Sequence, residues 1–293
     1  MKRFAIIALL TLGLSTIVST TAFAASGSYV ALGDSIAAGA GLSTADPVCD
    51  RSPQAYPYEV AASTGLTLSH YACTGAKADE GIYDEQETAL AVLPAQLDQA
   101  YANGTPELIT LTIGANDSRW TQFIRQCYYI RCGYSLDTAR FNAYLIDLKL
   151  ELNIIMAKVH TLSDGTPPQV IVTGYYNPIS TTPCTDTNGI TAREVAWLSE
   201  RVDRLNSAIS STVANYSYAQ FAPVNFTGHE LCTSDSWVQG PSSPRPFHPT
   251  TEGQQAIASS VQTYYSEPTQ SPPEEAPLSY RERALNWYER LFR

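Results

Sequence analysis

The sequence has little charge and very few lysines. Asp, Glu, Lys and Arg make up 16% of the 293 residues, against roughly 25% in an average soluble domain, whereas hydrophobic residues make up 44%. Such a chain can bury a large core, which excludes a largely disordered protein. The 28 acidic residues outnumber the 18 basic ones, giving a formal charge of −10, and no basic cluster is visible in the sequence. Charge alone therefore disfavours binding to nucleic acid or to an anionic membrane.

Long apolar runs are missing except at the start of the chain. Lys2 and Arg3 precede an apolar run over residues 4–14, and the sequence Ala-Phe-Ala at 22–24 has the small-x-small pattern of a cleavage site. A membrane anchor is the alternative, but the run is short and is followed by serines and threonines. We therefore expect residues 1–24 to be a cleaved secretory signal peptide. Its removal takes away two basic residues and no acidic one, so −10 becomes −12 in a soluble, extracellular protein.

The cysteines lack the C-x-x-C spacing of many metal sites. There are six: Cys49, Cys73, Cys127, Cys132, Cys184 and Cys232. An even number in an exported chain indicates three disulfides, and joining sequence neighbours is the simplest of many possible pairings. A zinc site is a weaker alternative, because no histidine lies at ligand spacing from two cysteines.

Apolar, β-rich segments alternate with segments of helical periodicity. This alternation predicts one α/β domain at 25–265, a three-layer α/β/α sandwich around a parallel sheet of about five strands. The expected strands are 28–32, 67–71, 108–113, 170–173 and 218–223, and the expected helices are 53–63, 87–102, 137–160, 191–215 and 251–264.

The composition changes after this domain. Residues 266–277 contain four prolines and three glutamates, which predicts an extended linker. Residues 278–293 return to helical character with leucines and aromatic residues on one side. This C-terminal helix could dock on the domain or fray, and a membrane tether is the alternative.

Three short segments carry polar residues suited to chemistry. Ser35 follows an apolar segment in Leu-Gly-Asp-Ser, where it could be a nucleophile or simply a helix N-cap. Asn116 follows a second such segment in Ile-Gly-Ala-Asn-Asp, where it could donate to an oxyanion or hold a turn. His248 lies between two prolines in Pro-Phe-His-Pro-Thr, which stiffen the backbone that presents its imidazole. Each motif is weak by itself, because each residue also has an ordinary structural role.

Together these segments resemble the blocks that name the SGNH (GDSL-type) hydrolases. Ser35, Gly75 in Ala-Cys-Thr-Gly-Ala, Asn116 and His248 match the Ser, Gly, Asn and His of the family in order and spacing. The Pro-Phe-His-Pro-Thr-x-x-Gly motif, the export signal and the six cysteines are similar to the secreted Streptomyces-type esterase and lipase branch. The resemblance implies a flavodoxin-like sandwich. It also implies three disulfides, namely Cys49–Cys73, Cys127–Cys132 and Cys184–Cys232.

The resemblance also implies roles for individual residues. Ser35 would be the nucleophile and His248 its base, while the N–H groups of Ser35 and Gly75 and the side-chain amide of Asn116 would form the oxyanion hole. No metal, nucleotide or redox cofactor is implied, and the sequence contains neither a phosphate-binding glycine loop nor a metal-ligand cluster.

One position departs from the family pattern. Many members have an aspartate three residues before the histidine, and here that residue is Arg245, whose side chain cannot accept a hydrogen bond. Our hypothesis is a Ser-His dyad in which a backbone carbonyl, that of Arg245, orients the imidazole. The alternative is a carboxylate from Asp235 or from elsewhere in the chain.

These observations predict a secreted serine esterase that acts as a monomer on lipid or small acyl esters. A carbohydrate O-acetylesterase, acyl transfer to an acceptor other than water, and an inactive binding module on the same fold remain as alternatives. The ester substrate is the only partner that the sequence implies.

Overall fold

The computed structural model describes residues 27–44, 46–180, 187 and 189–266. The signal peptide predicted for residues 1–24 lies outside the described residues. So do the linker beyond residue 266 and the helix predicted for 278–293.

The helices and strands follow the alternation of the sequence. The strands are β1 (Ser28–Gly33), β2 (Thr67–His70), β3 (Gln86–Glu87), β4 (Val92–Leu93), β5 (Leu108–Thr112), β6 (Gln169–Thr173) and β7 (Ala219–Ala222). The helices are α1 (Ser35–Ala38), α2 (Tyr56–Thr64), α3 (Gln96–Tyr101), α4 (Trp120–Tyr129), α5 (Ser135–Leu162), α6 (Ala192–Val213) and α7 (Thr251–Ser266). None of the helices within the described residues is both long and apolar enough to cross a bilayer.

Five parallel strands form the central sheet in the order β2-β1-β5-β6-β7. The chain passes from β1 to β2 at one edge and then returns to the other side of β1 to form β5. The strand order therefore changes direction at β1. At such a change, a crevice opens between the carboxyl ends of the neighbouring strands, here β1 and β5. Ser35 and Asn116 each follow one of these two strands.

Helices cover both faces of the sheet. Helices α2 and α7 pack against each other, as do α5 and α6. Right-handed crossovers place these two pairs on opposite faces, which confirms the predicted α/β/α sandwich of the flavodoxin-like type. Helix α6 buries apolar residues at helical spacing in the core: Val195, Leu198, Val202, Leu205 and Ile209.

The segment 87–102, which we expected to be one helix, is mostly not helical. Strands β3 and β4 form a short antiparallel hairpin, whose turn is closed by the Thr88 hydroxyl and the Ala91 carbonyl at 2.8 Å. Pro94 lies next to β4, so the helix α3 starts only at Gln96. The proline prevents one continuous helix.

Helix α4 was not expected from the sequence. It starts at Trp120, directly after the turn that contains Asn116, and buries Phe123, Ile124 and Cys127. Three buried positions in ten residues are too few to show a helical pattern clearly.

Two of the three expected disulfides join described residues. Cys49–Cys73 and Cys127–Cys132 are both present. Cys232 is also disulfide-bonded, whereas its expected partner Cys184 lies outside the described residues.

Candidate active site

Ser35 lies at the first position of α1, where the chain leaves β1. The Asp34 carboxylate caps this helix by accepting the Ile36 N–H at 2.9 Å. The first N–H groups of a helix have no acceptor inside it, so the N–H of Ser35 is free to donate to a ligand. The turn thus presents both the hydroxyl and the N–H of Ser35 in the crevice.

The imidazole of His248 contacts this serine directly. Its Nε2 lies 2.8 Å from Ser35 Oγ, and its Nδ1 lies 3.1 Å from the carbonyl oxygen of Pro246. A carbonyl oxygen can only accept a hydrogen bond, so Nδ1 carries the hydrogen. Nε2 is then unprotonated and can accept the serine hydroxyl.

The carbonyl that accepts the Nδ1–H at 3.1 Å is that of Pro246, whereas we expected that of Arg245, which has a smaller effect on the ring. The Arg245 carbonyl accepts the backbone N–H of His248 at 3.3 Å. Phe247, which lies between Pro246 and His248, has φ +67°. This left-handed turn presents the Pro246 carbonyl to the ring. The hypothesis named the neighbouring residue: the Pro246 carbonyl has the larger effect on the ring and the Arg245 carbonyl the smaller one, and this turn cannot be read from the residue types.

Neither of the two nearby aspartates orients His248. Asp235 pairs with His229 at 3.1 Å. Asp50 accepts Arg245 Nε at 2.7 Å. Within the part of the chain that the structure describes, no carboxylate is hydrogen-bonded to the His248 ring.

The environment of His248 favours the neutral imidazole. Burial lowers its pKa below the usual value, and the positive charge of Arg245 lowers the pKa further. The hydrogen bond to the Pro246 carbonyl opposes these effects in part. A neutral ring is the form that can remove a proton from a hydroxyl.

The loop with Gly75 is tied to both strands of the crevice. Cys73 N–H donates to the Gly33 carbonyl at 2.9 Å, which fixes the loop to the end of β1. Asn116 Nδ2 donates to the Ala76 carbonyl at 2.8 Å, which fixes the loop to the turn after β5. Gly75 itself has φ +87°, a conformation that strains residues with a Cβ. The structure thus brings the segments of Ser35, Gly75 and Asn116 together, and the Asn116 amide keeps one hydrogen for a ligand.

A buried aspartate connects the three strand ends. The Tyr175 hydroxyl, which follows β6, donates to Asp34 Oδ2 at 2.6 Å and accepts the Ala115 N–H at 3.1 Å. Burial raises the pKa of Asp34 to about 7. Asp34 holds its own turn through Ile36, whereas Asp117 accepts the Ala78 N–H at 2.8 Å and so joins the turn after β5 to the loop that follows Gly75.

Sequence reasoning missed the residues that hold the His248 loop. The Tyr176 hydroxyl donates to the Phe247 carbonyl at 2.7 Å, and its ring stacks on Phe226. The buried Gln239 side-chain amide donates to the carbonyls of Ala40 and Pro249 at 3.0 and 2.8 Å. No signal in the sequence points to them, since Tyr176 lies 71 residues from Phe247 and Gln239 lies 199 residues from Ala40.

Buried glutamines also hold the serine turn. Gln96 makes two hydrogen bonds with the backbone of Gly33, at 2.8 and 3.0 Å. Gln254 donates to the Ile36 carbonyl at 2.9 Å and accepts the Tyr56 N–H at 2.8 Å. These paired contacts fix the turn on both sides of Ser35.

A groove opens beside Gly75. Its volume is about 310 Å³, and its walls include the apolar side chains of Val48 and Leu90 as well as Arg245. The Leu90 side chain is largely exposed in the turn of the β3–β4 hairpin. Asp50, Glu80 and Glu87 also line the groove, so it offers a substrate both apolar and charged contacts.

Comparisons with known proteins agree with this arrangement. Residues 31–256 match the model of the GDSL-like Lipase/Acylhydrolase family. The chain is 30% identical over 238 residues to a lipase of Streptomyces rimosus, a match that covers 77% of this chain and 82% of that protein.

Two solved structures share the fold. The crystal structure of an extracellular lipase from Streptomyces rimosus matches with a TM-score of 0.67 and 27% identity, covering 81% of this chain and 99% of that one. Phospholipase A1 from Streptomyces albidoflavus matches with a TM-score of 0.60 and 26% identity, covering 82% and 99%. The chain therefore belongs to the GDSL-like lipase/acylhydrolase family, in its Streptomyces-type branch, and is a carboxylic ester hydrolase.

Proposed function

We propose that this chain is a secreted serine esterase in which Ser35 and His248 form a catalytic dyad. The observation that carries the proposal is the 2.8 Å contact between Ser35 Oγ and His248 Nε2. The Nδ1–H of the same ring is held by the Pro246 carbonyl, which fixes the tautomer that the reaction needs. A carbonyl dipole here takes the orienting role that an aspartate has in a Ser-His-Asp triad.

In the acylation step, the Ser35 oxygen attacks the carbonyl carbon of the ester. Its proton moves to His248 Nε2, and a tetrahedral intermediate forms. The imidazolium then gives this proton to the leaving alcohol as the carbon–oxygen bond breaks, which leaves an acyl group on Ser35.

Three N–H donors would stabilise the negative charge on the intermediate. They are the backbone N–H groups of Ser35 and Gly75 and the free amide hydrogen of Asn116. The assignment of these donors is supported by the hydrogen bonds that join the segments of Gly75 and Asn116 to each other and to the end of β1. Such fixed donors act where charge develops, without the reorganisation that water requires.

Water completes the cycle. His248 Nε2 removes a proton from the water as its oxygen attacks the acyl carbon, and then gives the proton to Ser35 Oγ as the bond between this oxygen and the acyl carbon breaks. The products are a carboxylic acid and the free enzyme.

We propose lipid or small acyl esters as substrates. The groove beside Gly75 is lined in part by Val48 and Leu90, which can contact an acyl chain, and in part by charged residues, which can contact the polar part of an ester. Secretion is part of the proposal, supported by the predicted signal peptide and by the extracellular lipase among the similar structures.

The test is hydrolysis of p-nitrophenyl esters from acetate to palmitate by the mature protein and by Ser35→Ala. We expect the wild type to hydrolyse the series and Ser35→Ala to lose the activity while keeping its melting temperature. Activity on acetate alone would favour the carbohydrate O-acetylesterase alternative. Equal rates for the two proteins would rule out Ser35 as the nucleophile.

A further inference from the structure

The strongest feature that the proposed chemistry does not use is an exposed surface at the start of α5, here called the tip. Its large apolar side chains are 54–75% exposed, although most residues of this kind are buried in the core. They are Tyr129, Ile130, Tyr134 and Leu136. A cluster of exposed large apolar residues is unusual in a soluble protein and marks an interaction surface.

Arginines accompany each of these apolar side chains. Arg125 lies one helical turn before Tyr129, and Arg140 lies one turn after Leu136, so each pair shares a helix face. Arg131 follows Ile130 in the chain. The fourth guanidinium, that of Arg193, lies 5.4 Å from the centre of the Tyr134 ring.

The fold assembles this positive charge from separate parts of the sequence. Segment 119–140 contains four arginines and one acid, Asp137, which is buried. Arg193 joins them from α6 and is fixed by the Cys132 and Gly133 carbonyls at 2.8 and 3.2 Å. The tip is therefore positive although the whole chain is acidic. The Debye length of about 10 Å at 0.1 M salt screens the distant acids.

The tip is also rigid. The Cys127–Cys132 disulfide closes the loop between α4 and α5. The buried Glu194 carboxylate accepts the Cys132 N–H at 2.9 Å and lies 3.7 Å from Arg131. Arg125 and Arg140 are exposed and have no hydrogen bond or ion pair with other described residues. Their charges are available to a partner.

The tip projects from the same edge of the sheet as the active site. Helix α5 starts at the carboxyl edge of the sheet and runs to the opposite edge, where Ser163 contacts Tyr101 at 3.0 Å. Its 28 residues span about 42 Å. A five-residue strand such as β5 spans only about 17 Å. The start of α5 thus extends beyond the strand ends that carry Ser35 and Asn116.

We propose that the tip binds the surface of an anionic lipid layer and holds the active-site edge against it. Aromatic and aliphatic side chains enter the headgroup region, and the arginines pair with the phosphates of the lipid. This binding goes beyond the hydrolysis itself and does not require it.

Co-sedimentation with vesicles tests the proposal. The protein carries Ser35→Ala so that the vesicles are not hydrolysed, and the vesicles consist of phosphatidylglycerol or of phosphatidylcholine. We expect stronger binding to phosphatidylglycerol, and we expect salt to weaken it. Arg125→Gln combined with Arg140→Gln should weaken it about 25-fold, or about fivefold for each arginine. Leu136→Ser should weaken binding to both kinds of vesicle.

Two matched controls lie on α5 away from its start. Lys149→Gln removes one exposed positive charge, and Leu162→Ser removes an exposed leucine at the other end of the helix. Both should bind vesicles like the parent protein. All variants keep the same C-terminal segment, so differences between them report on the tip alone.

The proposal is overturned if the parent protein does not bind phosphatidylglycerol, or if the tip variants bind it as tightly as the controls. Concentration-dependent dimers that are lost in Leu136→Ser, without vesicle binding, would assign the tip to self-association instead. With Ser35 intact, the tip variants should hydrolyse a soluble p-nitrophenyl ester at the wild-type rate. Failure of the proposed esterase function would appear in that assay and not in the vesicle assay.

Discussion

At the scale of single residues, Arg245 tunes the imidazole that it precedes. Burial lowers the pKa of His248, and the positive charge of Arg245 lowers it further. The ion pair with Asp50 holds Arg245 at the mouth of the groove. The family aspartate at this position would act in the opposite direction by favouring the imidazolium. A dyad with an arginine here should therefore remain active to a lower pH than a triad.

Arg245→Gln should move the acidic limb of kcat/KM to higher pH. Without the arginine, the imidazolium is less disfavoured and the pKa of His248 rises, so the base is protonated at a higher pH. The measurement is the pH profile on a soluble ester, with Arg204→Gln as the control, because Arg204 lies in a separate ion pair with Glu200. A limb that stays in place or moves to lower pH would contradict this account of Arg245.

Asn116→Ala should lower kcat by about 100- to 1,000-fold, with a much smaller change in KM. The amide hydrogen that is not bound to Ala76 would stabilise charge that develops only in the transition state. Steady-state kinetics on p-nitrophenyl butyrate measure the effect. Asn153→Ala removes a partly buried amide that is bound to the Lys149 carbonyl and to the Tyr216 hydroxyl and makes no contact with the site, so it should leave kcat unchanged. A loss below tenfold for Asn116→Ala would mean that its amide is not an oxyanion donor.

At the scale of elements, the Tyr176 hydroxyl holds the loop of His248 together with the Gln239 side chain. Tyr176 holds the Phe247 carbonyl in a turn with positive φ, and this turn presents the Pro246 carbonyl to the ring. We expect Tyr176→Phe to lower kcat roughly tenfold, the effect of about one hydrogen bond, at nearly constant KM. Tyr218→Phe removes a similar bond to the Met156 carbonyl far from the site, so it should cost stability without affecting kcat. Equal kcat values for both variants would show that Tyr176 does not position the histidine.

The same loop shows where sequence-based prediction stops. The four motif residues could be placed, because each follows a recognisable strand end or proline-flanked turn. The Pro246 carbonyl could not be chosen over that of Arg245, because the choice depends on the backbone angles of Phe247. The contacts of Tyr176 and Gln254 join distant parts of the chain, so local sequence patterns cannot predict them.

The helices and strands likewise include some that the sequence predicts and some that it does not. The five sheet strands and the long helices α5, α6 and α7 were predicted to within about two residues, because each has a clear apolar pattern. The hairpin of β3 and β4 was taken for a helix. Its two-residue strands are too short to show alternation, and only Pro94 indicated the break.

At the scale of the whole molecule, Asp34 links three strand ends through one buried carboxyl group. Its pKa is about 7 in the folded protein and near 3.9 in an unfolded chain. Between these values the folded state keeps a proton that the unfolded state has lost. The contribution of Asp34 to stability is therefore complete below about pH 4 and is lost as the pH rises to about 7.

Asp34→Asn should remove this dependence. Relative to the variant, the free energy of unfolding of the wild type should fall by a few kcal/mol between pH 4 and pH 8. Urea unfolding at both pH values measures the difference. Asp117 is present in both proteins, so its contribution to the pH dependence cancels in the comparison. A difference that does not change with pH would mean that Asp34 is not a protonated, buried group.

The central claim is that His248 activates Ser35 as a nucleophile, and covalent labelling tests it most directly. The mature protein is treated with an alkyl fluorophosphonate and analysed by intact mass and peptide mapping, alongside Ser35→Ala and His248→Ala. We predict a single adduct on Ser35 in the wild type, none in Ser35→Ala, and labelling at least about a thousandfold slower in His248→Ala. An adduct on another residue, or labelling of His248→Ala at the wild-type rate, would contradict the account.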